Sequence, residues 1–230
     1  MIANRGEITR RVVKTAKKMG VKTVAVYSDA DAFSMFVKEA DEAYRIGPPP
    51  TNQSYLKMDT ILEVIKASGA QAVHPGYGFL SENCVFQDMM QKNGVKFVGP
   101  PQEAIKAMGD KIESKKYALK ANVNTVPGYV GEIHDDKEAI KIANEIGYPV
   151  MIKASAGGGG KGMRIAFNDK ECIEGYRLSK DEALASFGDD RIMVEKYIQE
   201  PKHIEYQILG DEHGNYVYMP ERECSVQRRN

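Results

Sequence analysis

Four consecutive glycines, Gly157, Gly158, Gly159 and Gly160, are followed by Lys161 and Gly162 and lie between two short apolar runs. Val150, Met151 and Ile152 read as a buried strand ending on Lys153, and Met163, Arg164, Ile165, Ala166 and Phe167 read as a second strand. Ordering glycine costs backbone entropy, so such a run needs a reason. Backbone N–H groups freed of side chains can approach a phosphate closely, and the flanking lysines favour that use. The plain alternative is a flexible hairpin with solvated lysines.

Two familiar glycine motifs fail here. Gly157-x-Gly159-x-x-Gly162 has dinucleotide-fingerprint spacing, but that motif leads into a helix and a strand-like run follows instead. The Walker loop needs Ser or Thr directly after Gly-Lys, where this chain has Gly162. A phosphate-binding flap between antiparallel strands remains.

The 230 residues suffice for one large domain or two small ones. With 32 basic and 32 acidic residues the net charge is zero, so no global field favours nucleic acid or an anionic membrane. No apolar run reaches the roughly 20 residues a membrane span needs. Cys84, Cys172 and Cys224 are too few and scattered for a metal cluster and suit a reducing compartment. No signal or transit peptide is visible. The opening Met1-Ile2-Ala3 is abrupt for a strand and the end at Asn230 has no cap or turn, so a fragment is expected.

Along the chain, Ile8, Val12, Val13, Ala16 and Met19 have helical spacing opposite a basic face, and Gly20 stops the helix. A strand at residues 23–27 follows, a loop over 45–53 around Pro48-Pro49-Pro50, a helix over 58–67, and a strand over 70–73. Helix–strand alternation of this kind predicts a parallel, doubly wound sheet. The loop His74-Pro75-Gly76-Tyr77-Gly78-Phe79-Leu80-Ser81-Glu82-Asn83 falls at a strand's carboxyl end, the usual ligand face of such sheets; Tyr77 and Glu82 could face a ligand, or the segment is a structural turn. Helix at 86–90 and strand at 96–98 close a first domain over residues 1–98. Helix over 102–121, with Ile105 and Met108 inward, is interrupted at Gly109-Asp110-Lys111. Residues 126–129 read as a loop or edge strand, 137–146 as a helix, 170–186 as a helix, 191–198 as a strand turning polar, and 203–209 as an alternating strand before a hairpin turn.

Taken in order, Asn4-Arg5-Gly6-Glu7, the 74–83 loop, Gly109-Asp110-Lys111, the glycine flap, Glu195-Lys196-Tyr197 and Glu221-Arg222-Glu223-Cys224-Ser225-Val226-Gln227-Arg228-Arg229 resemble the biotin carboxylase component of biotin-dependent carboxylases. Ile112-Glu113-Ser114-Lys115, residues 146–166 and residues 187–191 most resemble the branch serving propionyl-CoA. The resemblance implies an α/β protein: a Rossmann-like pre-ATP-grasp domain, then from residue 99 to 230 an ATP-grasp lid, about 125–197, and the start of a central antiparallel-sheet domain. It implies ATP-dependent activation of bicarbonate to carboxyphosphate and carboxylation of biotin held on a carrier domain. A closing lid suits so labile an intermediate, and clustered cations suit phosphoryl transfer.

On matching positions the resemblance implies that Lys111 and Lys153 contact the ATP phosphates under the amides of Gly159 and Gly160. Glu195, Lys196 and Ile198 would form the hinge strand that reads adenine, and His203, Gln227 and Asn230 would line the ribose and phosphate side. Some relatives have histidine at the position of Asn230. Tyr77 and Glu82 would lie toward biotin. The Mg2+ ligands, the bicarbonate-binding residues and the residues of the carboxylation step are expected beyond Asn230, leaving no catalytic residue or metal ligand within the chain. The expectation is therefore no carboxylase turnover by the chain alone; biotin- and bicarbonate-dependent ATP hydrolysis would refute it. Implied partners are the biotin carboxyl carrier domain, a carboxyltransferase subunit and further copies in an oligomer. The implied compartment is the mitochondrial matrix in a eukaryote or the cytoplasm in a bacterium. Another ATP-grasp ligase, or a non-catalytic nucleotide-binding or subunit-interaction module, stays open as an alternative.

Overall fold

In the computed structural model, which describes residues 1–156 and 162–226, the chain divides into two units, Met1–Gly109 and Asp110–Asn230. The first holds helices α1 (Gly6–Lys18), α2 (Met35–Glu39), α3 (Met58–Ser68), α4 (Cys84–Lys92) and α5 (Gln102–Gly109). Its strands are β1 (Val24–Ser28), β2 (Glu42–Gly47), β3 (Ala72–Val73) and β4 (Lys96–Phe97).

Strand β1 pairs with β2 and β3 with β4, both in parallel. Ile2 joins the two pairs through parallel bridges to Ala25 and His74. The opening segment thus serves as the central strand, short as it is. Counting it first, the order is 3-2-1-4-5, that of a doubly wound Rossmann-like sheet. The core on one side gathers Ile61, Ile65, Val73, Phe86 and Met90 from α3, β3 and α4. This burial explains the apolar spacing of those helices.

Residues 45–53 are not a simple loop, because β2 runs through Arg45 and Ile46 to Gly47 before the prolines. It was hidden by its polarity: β2 pairs only with β1 among the described residues and leaves Glu42 and Arg45 exposed. Of the two residues expected inward on α5, Ile105 is buried but Met108 is 59% exposed in the last turn of the helix.

The second unit contains α6 (Lys111–Lys120), α7 (Asp136–Ile146), α8 (Asp169–Phe187), β5 (Val150–Ala154), β6 (Met163–Ala166) and β7 (Ile192–Lys196). The three strands form an antiparallel sheet in the order β6-β5-β7. One sheet face buries Val150, Ile152, Ala154, Ile192 and Val194 against Ala139, Ile142 and Ala143 of α7 and Cys172, Tyr176 and Ala183 of α8. Each fully buried Val or Ile contributes roughly 1.5–3 kcal/mol. The alternation of β5 then sends Met151 and Lys153 to the opposite face.

Beyond β7 come β8 (Ile204–Glu205), β9 (Ile208–Gly210), β10 (Tyr216–Tyr218) and β11 (Arg222–Glu223). The single alternating strand expected over 203–209 is two strands with different partners: β8 pairs with β11, and β9 with β10. Alternation persists across the break, so the pattern alone could not reveal it.

Candidate functional site

The antiparallel strands β5 and β6 run to and from the glycine flap, and Gly162 closes the pair by accepting from Ala154 N–H at 3.0 Å. Gly159 and Gly160 themselves lie outside the described residues, as do Gln227 and Asn230. The foot of the flap is held by a polar hub. Asp110 caps α6, its Oδ1 accepting from the Ile112 and Glu113 N–H groups at 2.9 and 3.1 Å and from Ser155 Oγ at 2.9 Å. Its Oδ2 accepts from Arg191 Nη2 at 2.6 Å. The Ser155 N–H donates to Arg191 O at 2.8 Å, and the Lys111 N–H to Ser155 O at 3.1 Å. These bonds fix Lys111 where β5 gives way to the flap.

Register brings the next two groups together. Met151 lies opposite Glu195 and Lys153 opposite Met193, so Lys153 and Glu195 are diagonal neighbours on one face of the β5–β7 pair. Lys153 Nζ donates to Glu195 Oε1. On α6, Lys115 follows Lys111 by four residues and so shares its face. Its Nζ stands 3.6 Å from Glu195 Oε2. Lys111, Ser114, Lys115, Ala118, Thr125, Val126, Lys153, Met193 and Glu195 line a cavity of about 410 Å³.

Three lysines against one carboxylate leave this lining with two excess positive charges. Lys111 is half-buried, and burial, with the neighbouring Lys153 charge next, pushes its ammonium below the ordinary lysine range. Asp110 and Glu195 oppose that shift. A cationic cavity beside the strand that leads into the glycine run is suited to a polyanion.

The hinge end is arranged differently. Gly128 bridges Glu195, the Lys196 N–H donates to Pro127 O at 2.7 Å, and the Tyr129 N–H donates to Val194 O at 3.1 Å. Residues 127–129 therefore cover one edge of β7, as the edge-strand reading required. The Lys196 side chain turns to the end of α7, donating to Gly147 O at 2.7 Å and Tyr148 O at 2.9 Å. Ile198 lies past β7 and is exposed. His203 is exposed beside β8, its N–H donating to Ser225 Oγ at 2.9 Å and its ring 3.8 Å from Glu205. Neither Lys196, Ile198 nor His203 is part of the cavity lining.

In the first unit, the 74–83 loop is anchored by buried Asn4, whose Nδ2 donates to Pro75 O and Tyr77 O, each at 2.8 Å. Gly76 has φ +67°, and a Cβ there would lie 2.6 Å from Asn4 Nδ2. Tyr77 is exposed and its hydroxyl donates to Glu7 at 2.6 Å, while Glu82 is exposed. Sequence reasoning had singled out Lys111, Lys153 and Glu195 but missed Lys115, Ser155 and Arg191. The four-residue spacing of Lys111 and Lys115 was the one available signal.

A doubly wound unit, an antiparallel sheet whose strands β5 and β6 flank the four-glycine run of the sequence, and a lysine-lined cavity beside β5 define an α/β protein of the ATP-grasp class. Residues 1–105 match the biotin carboxylase N-terminal domain, and residues 110–230 match the ATP-binding domain of the carbamoyl-phosphate synthase L chain. The chain belongs to the biotin carboxylase family. It is 65% identical over all 230 residues to the propionyl-CoA carboxylase alpha chain of Ruegeria pomeroyi, covering 34% of that protein. It is 63% identical to the mitochondrial propionyl-CoA carboxylase alpha chain of Homo sapiens, covering all of this chain and 32% of that one. The chain thus spans about a third of the length of these curated relatives.

Among solved structures, the Campylobacter jejuni biotin carboxylase complex with β,γ-ATP superposes with a TM-score of 0.96 at 45% identity, over 99% of this chain and 51% of that one. The biotin carboxylase domain dimer of Hydrogenobacter thermophilus 2-oxoglutarate carboxylase, solved with MgADP, ADP and bicarbonate, gives 0.95 at 48% identity, over 100% and 50%. The second half alone would fit a carbamoyl-phosphate synthase; the match of the first half selects between the two.

Proposed function

We propose that this chain carries the nucleotide-binding part of an ATP-dependent biotin carboxylase, which uses bicarbonate, through carboxyphosphate, to carboxylate biotin on a carrier domain. The supporting observation is the gathering of Lys111, Lys115 and Lys153 in one cavity with Glu195, the carboxylate with which Lys115 and Lys153 pair. In this reading Lys111 and Lys153 hold the phosphates of ATP, with Gly159 and Gly160 over them. Glu195, Lys196 and Ile198 bound the adenine side, and His203, Gln227 and Asn230 the ribose side. Tyr77 and Glu82 lie toward biotin. Residues 1–98 serve as the Rossmann-like domain and 99–230 as the ATP-grasp domain, with a lid over about 125–197.

The acceptor we assign is propionyl-CoA, supported by full-chain identity above 60% to propionyl-CoA carboxylase alpha chains. A carboxyltransferase subunit and a carrier domain are the partners that this assignment entails. Self-association is supported by the dimer of the H. thermophilus domain. The compartment would follow the organism, mitochondrial matrix or bacterial cytoplasm, as the origins of the relatives suggest. Among the described residues no group of three His, Cys, Asp or Glu could hold a metal ion.

The chain's own residues supply positioning and charge. The hub on Asp110 sets Lys111, the β5–β7 register sets Lys153, and both present ammonium groups where phosphoryl charge would gather. Titration of ATP into the 230-residue chain by calorimetry tests the reading. Saturable binding, weakened roughly tenfold or more by Lys153→Ala, is expected. Absence of ATP binding would overturn it.

A further inference from the structure

Lys115 is 7% exposed, yet its Nζ is buried with no hydrogen-bond partner among the described residues. Among the described residues its counter-charge is Glu195, whose Oε2 lies 3.6 Å away, too far for a hydrogen bond. Glu195 is itself 9% exposed and already held by Lys153 through its other oxygen. A buried ammonium without an acceptor is costly, and an apolar side chain would fill the same place on α6 more cheaply. The arrangement makes sense if the pairing changes when the site fills.

We propose that Lys115 is the reserve counter-ion of Glu195, closing onto the carboxylate when an incoming polyphosphate draws Lys153 away. The inference rests on the nucleotide reading of the site. Lys153 cannot serve both Glu195 Oε1 and a phosphate with its full charge. Its departure alone would leave a buried carboxylate unpaired, a state that strongly opposes binding. Lys115 needs to move by less than an ångström to bring its 3.6 Å separation from Oε2 to hydrogen-bond length. Proximity helps too, because a Cβ on Gly128 would lie 2.9 Å from Lys115 Nζ, and the bare glycine there leaves room for the ammonium. Lys115 is on this account a positioning residue, acting through Glu195 and Lys153.

The test is a double-mutant cycle on the 230-residue chain, with ATP affinity from calorimetry and stability from thermal melting. Lys115→Met is expected to keep or raise the melting temperature of the free chain, since Lys153 still pairs Glu195 and a costly buried ammonium is removed, and to weaken ATP binding roughly tenfold or more. In the Glu195→Gln background no carboxylate is left to cover, so adding Lys115→Met is expected to have no further effect on affinity. Unchanged ATP affinity in Lys115→Met overturns the proposal. An equal loss in the Glu195→Gln background does so too, since Lys115 would then touch the ligand directly. A variant that melts earlier or fails to fold makes Lys115 a structural partner and overturns it as well. Failure of the parent chain to bind ATP would instead remove the nucleotide reading, and this inference with it.

Discussion

Asp110 Oδ2 accepts a 2.6 Å hydrogen bond from Arg191 Nη2, tying the N-cap of α6 to the residue that precedes β7. The same carboxylate accepts two backbone N–H groups and the Ser155 hydroxyl. One side chain thus joins a helix start, the foot of the glycine flap and the strand that carries Glu195.

Asp110→Ala is therefore expected to destabilise the second unit by ~2–4 kcal/mol, combining loss of a cap with loss of an ion pair. Asp110→Asn, which keeps the cap, is expected to cost about half as much. Burial works against ionisation of Asp110, but bonds from Glu113, Ser155 and Arg191 outweigh it and hold its carboxyl below the usual 3.8. A depressed folded pKa stabilises the fold above the unfolded value, and that share is lost as pH falls through the folded one. Urea melts of the parent and Asp110→Asn should accordingly converge as pH drops below about 4. A constant gap would contradict this account.

Lys111 carries the opposite sign. Burial first, then Lys153, lowers its pKa, so between the folded value and 10.5 the unfolded chain holds more protons. Its cost is full below the folded value and is relieved as pH rises toward 10.5. Lys111→Met is expected to raise the melting temperature at pH 7 by ~2–4 °C while weakening ATP binding. The melting advantage should shrink as pH climbs, which thermal melts across pH 7 to pH 10 would show.

Legibility in the sequence followed periodicity. Buried helix faces and the strands at residues 24–28, 150–154 and 192–196 announced themselves, because each sends apolar groups into one core. Strand β2 did not, since its half-exposed side chains carry no apolar run. The candidate site was legible where a local motif marked it, at Lys111 and Lys153. It was opaque at Lys115, Ser155 and Arg191, whose partners are 80, 45 and 81 residues away at Glu195, Asp110 and Asp110. Contacts at such separations depend on register and helix placement, which no window of residues contains.

Gly128 shows the same limit at a single position and carries the last prediction. From sequence it was one residue of a short loop or edge strand. In the fold it lies so close to β7 that a Cβ would sit 2.6 Å from Glu195 Cβ and 2.8 Å from Glu195 Cα. Backbone atoms cannot yield as a flexible side chain would, so Gly128→Ala must push residues 127–129 away from the strand. The bonds at risk are Lys196 N–H to Pro127 O and Tyr129 N–H to Val194 O, at 2.7 and 3.1 Å. An overpacking cost of ~1–3 kcal/mol is expected, with a matching fall in melting temperature. Because the added methyl also crowds Glu195 and Lys115, ATP affinity should fall with it. Gly128→Ala melting and binding like the parent would show that this edge can shift without disturbing the lysine–glutamate cluster.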